Sequence, residues 1–156
     1  MTWVLWNPLI QELYELPGYD CADLHLQASG LGYDCAHDDY KVVRIDEIHH
    51  NGSYVYKTLV YSLKFDSWKW IKDCPCGPRQ FSQGVYLNGI LYWMSTHFII
   101  ALDLSTEDYR QLSFPSVFSG PRVDLGIRNE FGRVGWMLGS KLQLLDTATG
   151  WMGDER

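Results

Sequence analysis

The chain has 156 residues, 46% of them apolar and 21% charged, with a formal net charge of −6. Its length suggests one domain, and its balance excludes an intrinsically disordered chain. Nineteen acidic against thirteen basic residues, with no Lys/Arg cluster, leave no basic patch for phosphates, so no nucleic-acid partner is expected.

Seven Trp, ten Tyr and six Phe make an aromatic share of 15%. Such side chains suit pleated, half-buried surfaces, and no stretch shows a helical period, so the expected class is all-β. In chain order, Trp3–Leu16 reads as the last hairpin of a blade and stops at Pro17-Gly18. Residues 30–71 read as four strands. Leu31-Gly32-Tyr33 comes first, then a turn at Cys35–Asp38 and a strand at Tyr40–Ile45. A turn at Asn51-Gly52 leads to strands at Val55–Ser62 and Trp68–Ile71.

The clearest unit spans Gly84–Leu112. Asn88-Gly89 stands between Val85-Tyr86-Leu87 and Ile90–Trp93, and a type I′ turn demands positive φ at both central residues. Strands follow at Phe98–Asp103 and Tyr109–Leu112. A weaker unit covers about 123–151, with strands at Leu125–Ile127, Val134–Leu138 and Leu142–Asp146 and a stub at Trp151.

One pattern returns four times: an apolar strand end, a short polar turn, then an aromatic. It appears at Trp6-Asn7-Pro8, Tyr61-Ser62-Leu63, Leu102-Asp103-Leu104 and Leu145-Asp146-Thr147. The closing aromatics Tyr14, Trp68, Tyr109 and Trp151 stand 54, 41 and 42 residues apart. Two spacings near 42 match propeller blades, so the expected architecture is an all-β propeller with about three four-stranded antiparallel blades in this chain.

Leu5–Pro8 (LWNP), Gly30–Asp34 with Asp38–Ile45, Val60–Ile71, Gly84–Trp93 and Ile99–Pro115 occur in order. Together they resemble the F-box-associated, kelch-like interaction domain of plant F-box proteins. The resemblance implies a non-enzymatic substrate-recognition module of an SCF-type E3 ubiquitin ligase, holding a target protein for ubiquitination. It frames residues 3–151 as a partial domain, without the F-box and short of C-terminal blades. A Skp-type adaptor and cullin are expected as partners only through an F-box outside this chain. A carbohydrate-binding or hydrolytic propeller and a decoy fragment are the rival readings. Roughly three blades alone leave open strand edges, so the chain is expected to be marginally stable or to aggregate.

Apolar runs such as Phe98–Leu102 are too short to cross a bilayer, and the N-terminus lacks a signal-peptide pattern. Cytoplasm or nucleus is expected, with no membrane partner, and there Cys21, Cys35, Cys74 and Cys76 are expected as free thiols. Cys74-Pro75-Cys76 lacks a second pair of zinc spacing, so no metal and no cofactor are expected. His49-His50 lie beside Asn51-Gly52; strand neighbours point to opposite faces, which favours solvated loop histidines over a shared ion. Asp38-Asp39, Asp103 and Glu107-Asp108 suit backbone capping in turns better than acid–base catalysis. Catalytic and cofactor-binding residues are therefore expected to be none. The aromatics Trp68, Trp70, Tyr86, Tyr92, Trp93, Tyr109 and Trp136 are expected in the core. The target-binding residues are unknown from the sequence; Tyr54, His97, Phe98 and Arg122 are contact candidates.

Overall fold

The computed structural model describes residues 3–19, 24–78 and 82–113, and the backbone of four strands between 124 and 155. Every described element is a strand: β1 (Val4–Asn7), β2 (Glu12–Glu15), β3 (His25–Asp34), β4 (Asp39–His50), β5 (Ser53–Ser62), β6 (Ser67–Trp70), β7 (Ser82–Gln83), β8 (Val85–Leu87), β9 (Ile90–Met94), β10 (Phe98–Asp103), β11 (Tyr109–Ser113), β12 (Asp124–Arg128), β13 (Arg133–Leu138), β14 (Lys141–Asp146) and β15 (Gly150–Glu155).

They form a β1-β2 hairpin and sheets ordered β6-β5-β4-β3-β7, β11-β10-β9-β8 and β12-β13-β14-β15. Three antiparallel four-stranded meanders preceded by a hairpin are the expected blades. Three details differ from the sequence reading. The first strand of the first full blade begins at His25 rather than Leu31, and the stub at Trp151 is a six-residue strand. In addition, β7 joins β3 in parallel through Ala28↔Ser82 and Ser29↔Gln83. That short parallel pairing hands the chain from one blade to the next, where the Gly84 N–H donates to the Ser29 carbonyl at 2.6 Å.

Alternation along β4 decides what each face meets. Val43 and Ile45, with Val60 and Ala28, pack against Leu91, Trp93, Ile100, Leu102 and Leu104 of the next blade. Trp93 is fully buried, and its indole N–H donates to the Ser29 carbonyl at 2.9 Å. Blade-to-blade approach is close enough at Gly32 that an added Cβ would stand 2.5 Å from Leu104 Cδ1. On the opposite face Val42 and Tyr61 pack with Leu16, flanked by Trp3, Leu5 and Trp68 of the neighbouring elements. The core is therefore two inter-blade seams, one on each face of the five-stranded sheet. Each fully buried aliphatic side chain there stabilises the fold by about 1.5–3 kcal/mol.

The core expectation for the aromatics holds for Tyr92 and Trp93, which are buried, and for Trp68 and Tyr109, which pack partly buried against the two clusters. It fails for Trp70 and Tyr86, both more than a third exposed. Trp70 ends a four-residue outer strand, where the Tyr19 ring lies edge-on to it at 5.5 Å. Tyr86 lies across Gly32 and donates its hydroxyl to the Tyr33 carbonyl at 2.9 Å. The side chain of Trp136, as well as Arg122 and Cys21, lies outside the described residues. Cys35, Cys74 and Cys76 are free thiols.

Candidate protein-interaction surface

Hairpin connections divide the blades into two ends. The β1–β2, β3–β4, β5–β6, β8–β9 and β10–β11 turns share one end; the β4–β5 and β9–β10 turns lie at the other. At the first end, four turns share one build. Asn7↔Glu12, Asp34↔Asp39, Ser62↔Ser67 and, through an Asp103 N–H to Asp108 carbonyl bond of 3.1 Å, Asp103 and Asp108 flank them, and the last loop residue adopts positive φ in each. These residues are Gln11 (54°), Asp38 (51°), Asp66 (48°) and Glu107 (58°). The residue four positions earlier caps the turn. Asn7 Oδ1 accepts from the Leu9 N–H at 3.0 Å, and Asp34 Oδ1 from the Ala36 N–H at 3.0 Å. Ser62 Oγ accepts from the Phe65 N–H at 3.1 Å, and Asp103 Oδ1 from the Ser105 N–H at 2.9 Å. The recurring motif of the sequence is thus the outer hairpin of each blade, with Asp34–Asp38 as a further copy of its loop that the sequence reading did not include.

Charged groups then tie these turns to one another. Lys41 Nζ donates to the Leu104 carbonyl at 2.6 Å and pairs with Asp34 Oδ2 at 2.8 Å and Glu107 Oε1 at 3.2 Å, joining two blades. Lys69 reaches the same Glu107 oxygen at 2.8 Å, and Lys72 pairs with Asp108. Burial opposes ionisation of Asp34, but the Lys41 and His37 hydrogen bonds outweigh it and hold the carboxyl below the ordinary aspartate range. Burial likewise opposes the Lys41 charge, and Asp34 and Glu107 outweigh it and raise its pKa. Asp39 accepts from Ser62 Oγ at 2.6 Å and from the Lys64 N–H at 2.9 Å. Asp66 accepts from Tyr61 at 2.7 Å and Tyr14 at 2.9 Å, which lowers its pKa. Asp103 is held low as well: burial opposes its charge, and hydrogen bonds from Ser105 and Thr106 prevail. The carboxylates at this end hold loops.

The opposite end is built differently. There the β4–β5 turn has Asn51 and Gly52 at φ of 49° and 78°, the paired positive values of a two-residue type I′ turn, a build that the β8–β9 turn of the first end shares through Asn88 and Gly89 (48° and 83°). The β4–β5 hairpin runs past its neighbours. The last β3 partner is His25↔Glu47, and β5 meets no strand beyond an isolated Tyr56↔Cys74 bridge. Ile48↔Val55, His49↔Tyr54 and His50↔Ser53 therefore form a two-stranded finger among the described residues. Its tip carries exposed His49, His50 and Tyr54, with the His49 and Tyr54 rings 5.2 Å apart. The two histidines end a strand rather than lying in a loop, and their exposure agrees with the solvated reading. His97 and Phe98, in edge contact at 6.5 Å, follow the bend between β9 and β10 at this same end. Three of the four contact candidates, Tyr54, His97 and Phe98, thus share one end of the domain.

Beneath the finger, Cys74 is buried with its thiol pKa pushed up to about 12 by burial, and its Sγ donates to the Cys76 carbonyl at 3.1 Å. Protonated thiols in this setting are packing groups, poor as nucleophiles or metal ligands.

Residues 1–148 match the F-box associated beta propeller domain family. The chain belongs to that family. Among its relatives in Arabidopsis thaliana, F-box/kelch-repeat protein At3g23880 is 31% identical over 122 residues, covering 71% of this chain and 33% of that protein. Putative F-box protein At3g22650 is 31% identical over 130 residues, covering 68% and 31% respectively. F-box protein CPR1 is 29% identical over 153 residues, covering 78% and 37%. The chain spans about a third of the length of these curated relatives. The family's β-propeller character agrees with the blades described above, and membership in it was legible in the motifs from LWNP to Pro115.

Proposed function

We propose that this F-box associated domain is the target-recognition part of an SCF-type E3 ubiquitin ligase substrate receptor, and that it binds protein without catalysing a reaction. The observation that carries this reading is the family match across residues 1–148, with relatives named as F-box proteins. The geometry supports it. Asp34, Asp39, Asp66, Asp103 and Glu107 use their oxygens in turn capping and ion pairs, not in a converging acid–base pair. The finger presents the exposed Tyr54 ring beside His49 on a backbone ladder, and tyrosine is a side-chain type enriched at protein interfaces.

In this reading the finger tip and the β9–β10 bend contact the target. The adaptor and cullin are reached through an F-box carried elsewhere on a longer polypeptide. The protein acts in the cytoplasm or nucleus.

Affinity purification of the tagged chain from plant cells under proteasome inhibition, followed by mass spectrometry, tests this. A specific target protein co-purifying without cullin is the expected result for residues 1–156. Recovery of no specific protein from a folded chain contradicts target recognition, and a reproducible hit in a glycan array or hydrolase panel contradicts the non-enzymatic protein-binding role.

A further inference from the structure

We infer that the target protein is held by an acidic segment seated between the finger tip and the β9–β10 bend, where His25, His49 and His97 meet its carboxylates as they gain protons; this rests on the target-recognition role proposed above.

Strand alternation places the finger residues on one side. Val43 and Ile45 turn towards the next blade, so Glu47 and His49 turn the same way. Their cross-strand partners Tyr56 and Tyr54 share that side, as does His25, paired with Glu47 on β3. The next blade reaches this place through its β9–β10 bend. There the Ser95 N–H donates to the Phe98 carbonyl at 2.8 Å, and His97 is exposed. Pro78 bridges Ser95, and at Gly77 an added Cβ would lie 2.5 Å from Tyr56 Cζ. Tyr56, Gly77, Pro78 and Ser95 thus link the base of the finger to the bend, with His49 and Tyr54 on one flank and His97 and Phe98 on the other.

Charge sorts along the same axis. His25, His49, His50 and His97 stand at this end, whereas His37 lies in the β3–β4 turn, bound to Asp34 at 2.7 Å. Asp34, Asp39, Asp66, Asp103, Glu107 and Asp108 belong to the interlocked turns of the other end. The finger has no lysine or arginine between Glu47 and Tyr56, and Lys57 is paired with Asp73 at 2.8 Å. Its only carboxylate over that span is Glu47, which the Tyr56 hydroxyl hydrogen-bonds. The intervening 74–78 segment adds only the thiols of Cys74 and Cys76.

Histidine is the side chain that ordinarily changes charge between about pH 5 and 8. Protonation of His25, His49 and His97 sets three positive charges against the single Glu47 carboxylate. An acidic segment is the occupant which that change favours, and the Tyr54 and Phe98 rings suit an apolar residue beside its carboxylates. A basic segment would find one carboxylate, already engaged.

An array of short immobilised peptides, probed with the labelled chain of residues 1–156, tests this. Glu/Asp-rich, Lys/Arg-rich and uncharged sets are compared, each with and without an aromatic residue. Aspartate and glutamate stay ionised from about pH 5.5 to 7.5, so pH dependence in that window belongs to the protein. The acidic set should bind, and about ten-fold more tightly at the lower pH, since exposed ion pairs are weak singly and three act together. His49→Gln/His97→Gln should remove most of that gain, whereas His37→Gln, at the other end, should keep it. Glu47→Gln should tighten binding at the upper pH by removing the opposing charge. Circular dichroism checks that each variant is folded. Preference for basic or uncharged peptides overturns the acidic assignment while leaving target recognition standing. So does an array with no acidic hit, acidic binding equal at both pH values, or a pH gain that survives in folded His49→Gln/His97→Gln.

Discussion

The two faces of the five-stranded sheet are covered in different ways. One meets a complete four-stranded blade and buries Val43, Ile45, Leu91, Trp93, Ile100, Leu102 and Leu104 without remainder. The other meets the two-stranded hairpin. Leu16, Val42 and Tyr61 are buried there, while Leu31 and Tyr40 on the same sheet stay about half exposed. The same alternating strand, β4, feeds both faces. What differs is the width of the neighbour, so a side chain's burial here is decided by the blade opposite it rather than by its own hydrophobicity.

The largest expected difference between the faces is in the cost of removing an aromatic. Trp93→Ala should lose about 3–5 kcal/mol of unfolding free energy, through lost apolar contact and a cavity. Trp70→Ala, on the hairpin side and 43% exposed, should cost about 1 kcal/mol or less. Urea unfolding of both variants measures the contrast, and equal losses would break it.

Lys41→Met sharpens the account of the complete seam. It strips the cation from Asp34, whose side chain is fully buried, and should cost about 3 kcal/mol near neutral pH. Denaturation of the variant across a pH series should show the deficit shrinking in acid, because a protonated Asp34 no longer needs the ammonium.

The wild-type pH profile follows from the same groups. Asp34, Asp66 and Asp103 have folded pKa values below the unfolded one, so the unfolded chain takes up protons first. Their contribution is complete above an ordinary aspartate pKa of about 3.9 and is lost as pH falls through the lower folded values. Lys41 acts in reverse: its raised pKa gives a contribution complete below about 10.4 and lost as pH rises through the folded value. A stability plateau between these limits, measured by thermal unfolding, is the expected result.

Gly32→Ala is a smaller probe of the seam. Its Cβ would meet Leu104 at 2.5 Å and Tyr86 at 2.6 Å, so a loss of about 1–3 kcal/mol in urea is expected. The substitution leaves the hairpin face untouched. A variant as stable as wild type would mean that the blades pack less closely than described.

Much of this arrangement was legible in the sequence because it is local. Asn51-Gly52 and Asn88-Gly89 dictate their own turns through φ, and the outer hairpins repeat a cap residue six or seven positions before an aromatic. The exchange between blades was not legible. Lys41 meets Leu104 across 63 positions, and no spacing rule connects them. The parallel β7 is two residues long, too short to show any period. Trp70 and Tyr86 carry the composition of core residues but stand at positions that no neighbouring blade covers fully. For the interaction surface, Tyr54, His97 and Phe98 were separable from the core aromatics by their place near turns. That they share one end of the domain required the topology.

The central claim is that the β4–β5 finger, at the end opposite the interlocked turns, holds the target protein. Quantitative affinity purification comparing wild type, His49→Ala/Tyr54→Ala and Thr106→Ala tests it most directly. Both substituted sites are exposed, and the two variants lie at opposite ends of the blades. The account predicts that the finger variant loses the co-purifying target while remaining folded, and that Thr106→Ala retains it. Undiminished target recovery by a folded His49→Ala/Tyr54→Ala chain would contradict it.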